Sequence, residues 1–114
     1  MNINFRDTFT IYFIRPKGHL GPIKIGLSTK PDRRAESLSA WSPWPLEIMG
    51  TVPGSWDDEQ FLHSCFHAHR THGEWFQDSP DLLNAIADIL SSGTIDRSCL
   101  TPQTDNPRRR KAAA

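Results

Sequence analysis

From Thr8 to Ile14 the chain alternates, with Phe9, Ile11 and Phe13 on one face and Thr10, Tyr12 and Ile14 on the other. Such a run of β-branched and aromatic residues predicts a strand. Pro16, Gly18 and Gly21 mark a turn, after which Ile23, Ile25 and Leu27 alternate with Lys24, Gly26 and Ser28 as a second strand. A hairpin centred near Gly18 would set Tyr12 roughly opposite Lys24, with both side chains on one face. The period then changes. Pro31 suits the first turn of a helix running to about Trp41, with Arg34, Leu38 and Trp41 on one stripe and Arg33 pointing to solvent. Ser42-Pro43-Trp44-Pro45 stops that helix, and Leu46 to Val52 reads as a third strand closed by Pro53 and Gly54.

Ser55 and Asp58 form a capping-box signal for a helix through about His69. Ser79 and Pro80 start a last helix that buries Leu82, Leu83, Ile86 and Leu90 and ends at Gly93. Beyond Gly93 no periodicity remains, so residues 94–114 are expected to form a disordered basic tail containing Arg108 to Lys111. The organisation is an arm over residues 1–7, one domain over 8–93 and that tail; 114 residues suffice for one domain and not for two.

The formal net charge is zero, yet its distribution is uneven. Residues 1–40 hold seven Lys/Arg against three Asp/Glu, and residues 41–96 hold one Arg against nine acids. A basic N-terminal part and a basic tail could meet phosphates while the acidic part faces away, although clustered solvated charge explains the same pattern. No apolar run approaches the roughly 20 residues of a membrane span. Phe5, Arg6 and Asp7 interrupt any signal-like stretch, and Cys65 and Cys99 form no disulfide framework, so a reducing cytoplasm is the expected compartment.

Glu59 is the most informative position. It shares i, i+3, i+4, i+7 spacing with Leu62, His63 and Phe66, which places a carboxylate on the core side of its helix. There it needs an ion pair, for which Arg34 is the structural choice, or a metal ion. Mg²⁺ or Mn²⁺ is the reading with chemical content, because one carboxylate plus waters and phosphate oxygens holds such a hard cation. Tyr12, Lys24, Arg34 and Glu59 then form a constellation around a shallow cleft. An ammonium near the phenol would make Tyr12 a better proton acceptor, Arg34 would grip a phosphate, and Glu59 would position the metal. Taken singly, a packed aromatic for Tyr12 and an exposed strand lysine for Lys24 are the simpler readings.

Thr10-Ile11-Tyr12, Lys24-Ile25-Gly26, Arg34 and Glu59, in this order, resemble the GIY-YIG nuclease superfamily, and more narrowly its phage and meiotically up-regulated branch. The runs that carry the likeness are Tyr12-Phe13-Ile14-Arg15, Ile23 to Ser28, Pro31 to Arg34, Glu59 to Phe66 and Arg70 to Phe76, within about residues 8–92. Thr10 stands where the first motif has glycine, Lys24 where the second has tyrosine, and the C-terminal asparagine has only Glu74 or Asn84 nearby. The resemblance implies an α+β fold: a small three-stranded, mainly antiparallel sheet starting with a β-hairpin and flanked by helices. It also implies metal-dependent hydrolysis of DNA, with Tyr12 as general base, Arg34 as phosphate clamp and Glu59 as metal ligand.

His63 and His67 have the i, i+4 spacing of a two-histidine zinc site, but neither His69, His72 nor a cysteine pair completes one. His63 is better read as a hydrogen-bonder in the cleft. Trp41, Trp44, Trp56 and Trp75 could stack on bases, with core packing the simpler reading in so small a domain. Two further classes share these residues: a non-catalytic DNA-binding module and a protein-interaction domain. Intact Tyr12 and Glu59 favour the endonuclease over the first, while the neutral total charge suits the second.

Overall fold

Thr10–Pro16 forms β1 and Ile23–Ser28 forms β2, antiparallel partners in the hairpin that alternation predicts. The computed structural model describes residues 9–18 and 20–102. Tyr12 pairs with Gly26 and Ile14 with Lys24, so the hairpin is centred one residue later than Gly18. Moving the centre by one moves each partner by two, and Tyr12 and Lys24 therefore stay on one face.

Three α-helices follow: α1 over Pro31–Trp41, α2 over Trp56–Cys65 and α3 over Pro80–Ser92. Between α1 and α2 lies β3, Leu46–Pro53, paired antiparallel with β1, with a bulge at Met49 between the Phe13–Gly50 and Ile14–Ile48 pairs. The helix punctuation acts as the side chains require. Ser55 and Asp58 close a reciprocal capping box on α2, Ser79 accepts from the Leu82 amide at the start of α3, and Gly93 ends α3 with φ 78°.

The sheet departs from expectation. It has five strands in the order β3-β1-β2-β5-β4, not three. The additional strands are β4, Arg70–His72, and β5, Trp75–Phe76, which pair around Gly73 and attach to β2. Three and two residues are too short for any periodicity to register. Helix α2 also ends at Cys65 rather than His69. Phe66 turns its ring into the core, a 3-10 turn over His67–His69 follows, and the chain returns to the sheet edge as β4. The α+β class stands, while the three-stranded sheet is replaced by a five-stranded one.

Ile11, Phe13, Ile23 and Ile25 present one sheet face to Leu62, Phe66, Leu82, Ile86 and Ile89, which forms the hydrophobic core. The other face carries Tyr12, Ile14, Lys24 and Gly26, all buried, and α1 reaches it through Arg34. No α1 residue is buried, so the expected apolar stripe of Arg34, Leu38 and Trp41 is not what packs. The half-buried positions are Pro31, Ala35, Leu38 and Ser39, with Arg34 and Trp41 exposed beside them. The tryptophans correct a second expectation: Trp41, Trp44 and Trp56 are exposed rather than packed in the core.

After Gly93 the chain turns back onto the domain. Ile95 and Leu100 pack against the core, and Arg97 bonds Asp58 at 2.7 Å. The arm over residues 1–7 and the basic cluster Arg108 to Lys111 lie outside the described residues. No helix among the described residues is long and apolar enough to cross a membrane. Because the Ser55 hydroxyl accepts the Asp58 amide at 3.2 Å, Ser55→Ala should cost about 1 kcal/mol. Thermal melting should then show a midpoint roughly 4–8 °C lower; an unchanged midpoint removes the cap from the stability of α2.

Candidate functional site

Tyr12 sits in the middle of β1, 1% exposed, with its ring lying over Gly26 of β2. A Cβ at position 26 would stand 2.3 Å from the Tyr12 Cζ and Oη atoms. Glycine is therefore required there by the close approach of the ring. Arg34 hydrogen-bonds the phenol from α1, which joins the hairpin to the helix at this point. Burial pushes the Tyr12 phenol above its ordinary range, and the Arg34 guanidinium opposes that shift without cancelling it.

The cation beside the phenol is thus Arg34, and not Lys24 as the hairpin register suggested. Lys24 is buried, and its Nζ donates to Glu74 Oε1 at 2.7 Å while lying over the Trp75 ring. Glu74 comes from the turn that joins β4 to β5, and its carbonyl accepts the Ile25 amide at 3.1 Å. It is the site residue that pattern reading left in the margin. Its signal was the Gly73-Glu74-Trp75-Phe76 run, whose role depends on a two-residue strand.

Glu59 projects from the first turn of α2 and is 4% exposed. The expected structural ion pair with Arg34 does not form among the described residues, where the ion pairs are Arg15–Glu47, Lys24–Glu74 and Arg97–Asp58. Among the described residues, the Glu59 side chain accepts one hydrogen bond, from the neighbouring Gln60 amide at 3.4 Å. Burial raises its pKa, the Glu74 carboxylate raises it further, and His63 and Lys24 act against both. A folded value above the unfolded one means that ionised Glu59 opposes folding. The penalty is absent at low pH and sets in as pH rises through the carboxylate range. His63 holds α2 to β2 through a 2.9 Å hydrogen bond between Nε2 and the Ile25 carbonyl oxygen, with its ring against Phe76.

The structure therefore brings Tyr12, Arg34, Glu59 and Lys24 into one electrostatic neighbourhood and adds Glu74. Glu59 and Glu74 both act on Tyr12, and Glu74 acts on Glu59. A buried carboxylate with a second carboxylate nearby and no salt bridge among the described residues fits the donor set of a hard divalent cation completed by water and phosphate oxygens. A zinc cage does not fit, because no group of three His, Cys, Asp or Glu able to hold a metal exists among the described residues. Two cavities of about 250 and 380 Å³ lie elsewhere, between α3 and the segment around Cys99 and Leu100.

The model of the T5orf172 domain family matches residues 10–91, from the first residue of β1 to the end of α3. No curated protein and no solved structure matches the chain. This replaces the GIY-YIG assignment: Thr10 and Lys24 occupy places where that superfamily's two motifs carry glycine and tyrosine, and the family found is a different one.

Two outcomes follow from the geometry. Gly26→Ala should displace the Tyr12 ring and cost roughly 1–3 kcal/mol, read as a lower melting midpoint; an unaltered melt means the ring yields freely. Glu59→Gln should melt at or above the parent's temperature at pH 7 without divalent ions, since it removes a buried charge that makes no salt bridge among the described residues. A clear loss of stability would reveal a pairing role for Glu59.

Proposed function

The chain belongs to the T5orf172 domain family, a family of nuclease-like, DNA-binding domains, and from that premise we propose that it is a divalent-metal-dependent DNA endonuclease. One observation carries the reading: a buried carboxylate with no salt bridge among the described residues, Glu59, stands near a phenol that an arginine already holds. A core built only for stability would not leave Glu59 in that state.

In this reading Glu59, with Glu74 beside it, holds Mg²⁺ or Mn²⁺, which when bound polarises a phosphate oxygen and acidifies a water. Arg34 is exposed on α1 and forms the phosphate clamp, its planar fork spanning two phosphate oxygens while it touches Tyr12. Tyr12 aligns the attacking water and, as phenolate, takes its proton. The water oxygen bonds to phosphorus, the bridging P–O bond opposite it breaks, and the departing oxygen gains a proton from solvent. Lys24 holds the Glu74 carboxylate at 2.7 Å, and His63 positions α2 against β2 and so places Glu59 near Tyr12.

Supercoiled plasmid incubated with the protein and Mg²⁺ or Mn²⁺ tests this directly. Cleavage by the parent, reduced by orders of magnitude in a folded Glu59→Gln variant that still binds DNA, is the expected result. Equal cleavage by both proteins removes Glu59 from the reaction. Salt-dependent DNA binding with no cleavage under any divalent ion makes the site a binding surface. The raised phenol sets the pH dependence as well. At neutral pH Tyr12 is protonated, so a phenolate-dependent rate should rise about tenfold per unit between roughly pH 7 and 9. A flat profile excludes the phenolate as the base.

A further inference from the structure

Helix α1 carries its charges on separate flanks. At about 100° per residue, Arg34, Ser37 and Trp41 follow one line along the helix, at i, i+3 and i+7, and Lys30, the N-cap residue, stands one turn before Arg34. All four are exposed. The acidic residues Asp32 and Glu36 lie on the opposite flank, beyond the half-buried Pro31, Ala35 and Leu38 that face the sheet. Arg34 is the residue of this line that touches Tyr12, and Trp41 stands two turns further on, roughly 10 Å along the axis.

Trp41 is 89% exposed, yet its support is rigid. The Ser42 amide bonds the Ser39 carbonyl at 3.2 Å, and the Leu46 amide bonds the Ser39 hydroxyl at 2.9 Å. Pro43 and Pro45 restrict the backbone beyond it, and the Pro45 carbonyl accepts the Lys17 amide at 2.8 Å. An indole displayed on a pinned turn, in line with two cations and with no acid on its flank, matches the chemistry of a nucleic-acid strand: phosphates for the cations and a base for the ring.

We propose that the Lys30–Arg34–Ser37–Trp41 flank of α1 is a track for one DNA strand, with Trp41 stacking on an unpaired base. The proposal deepens the DNA-cleavage reading and rests on it. Stacked nucleotides rise about 3.4 Å, so the base on Trp41 lies about three nucleotides from the phosphate on Arg34. The geometry selects unpaired DNA, because a base inside a duplex already has its stacking partners.

Binding of the full chain to short fluorescent oligonucleotides, in EDTA so that nothing is cut, decides the matter. Trp41→Ala should weaken binding to a single strand roughly 5- to 100-fold and to a blunt duplex by less than about threefold. Trp41→Phe should recover most of the loss. The salt slope should not change in either variant, whereas Lys30→Ala should lower it by about 1. Replacing single bases by abasic sites should cost the parent affinity at one position and cost Trp41→Ala nothing there. A folded Trp41→Ala protein that binds single strands like the parent overturns the track while leaving cleavage standing. So does a parent that dimerises through Trp41 with DNA affinity unchanged in the monomeric variant. A parent that binds no DNA of any form overturns the cleavage reading and the track together.

Discussion

The contact between the Tyr12 ring and Gly26 is the constraint to which the rest of the domain conforms. It fixes the β1–β2 register, because only a residue without Cβ can stand opposite a ring seated flat on the neighbouring strand. It also fixes what α1 can do, since Arg34 must reach the phenol over that face. With Tyr12 and Ile14 covered on one side and Ile11 and Phe13 in the core on the other, β1 is buried on both faces. A small domain rarely spends a central strand on a phenol, and here the phenol is where hairpin, helix and site meet.

Charge around this contact is arranged so that one carboxylate is satisfied and one is not. Lys24 pairs with Glu74 at 2.7 Å, while Glu59, almost completely buried, has among the described residues one long amide hydrogen bond and no salt bridge, and feels Glu74 as a like charge against the influence of His63 and Lys24. Had Arg34 paired with Glu59, the site would read as a buried salt bridge of structural value. Arg34 turns to Tyr12 instead and stays exposed, and Glu59 forms no salt bridge among the described residues.

The net neutrality of the chain hides this polarity. Along the sequence, acidic residues are concentrated from Glu47 to Asp96, and basic residues in the first 40 positions that include the hairpin and α1. Segregation of charge, and not its sum, is what a phosphate backbone responds to over a Debye length of about 10 Å.

Local chemistry alone determined the parts of this protein that depend on few neighbours. The hairpin follows from alternation, the start of α1 from Pro31, the start of α2 from the Ser55–Asp58 box, and α3 from Ser79, Pro80 and Gly93. The buried place of Glu59 follows from helical spacing, because periodicity encodes which face is covered. Tertiary structure decided everything that depends on a partner distant in sequence. Strands β4 and β5 exist only because β2 offers an edge, and residues so short carry no pattern of their own. Whether Arg34 met Glu59 or Tyr12, and whether Lys24 met Tyr12 or Glu74, turned on differences of one residue in register and one helix flank, with 50 residues between Lys24 and Glu74. A sequence states which side chains can pair; the packing of β1 between two layers chose among them, because each buried charge accepts only the partner that geometry brings within hydrogen-bond reach.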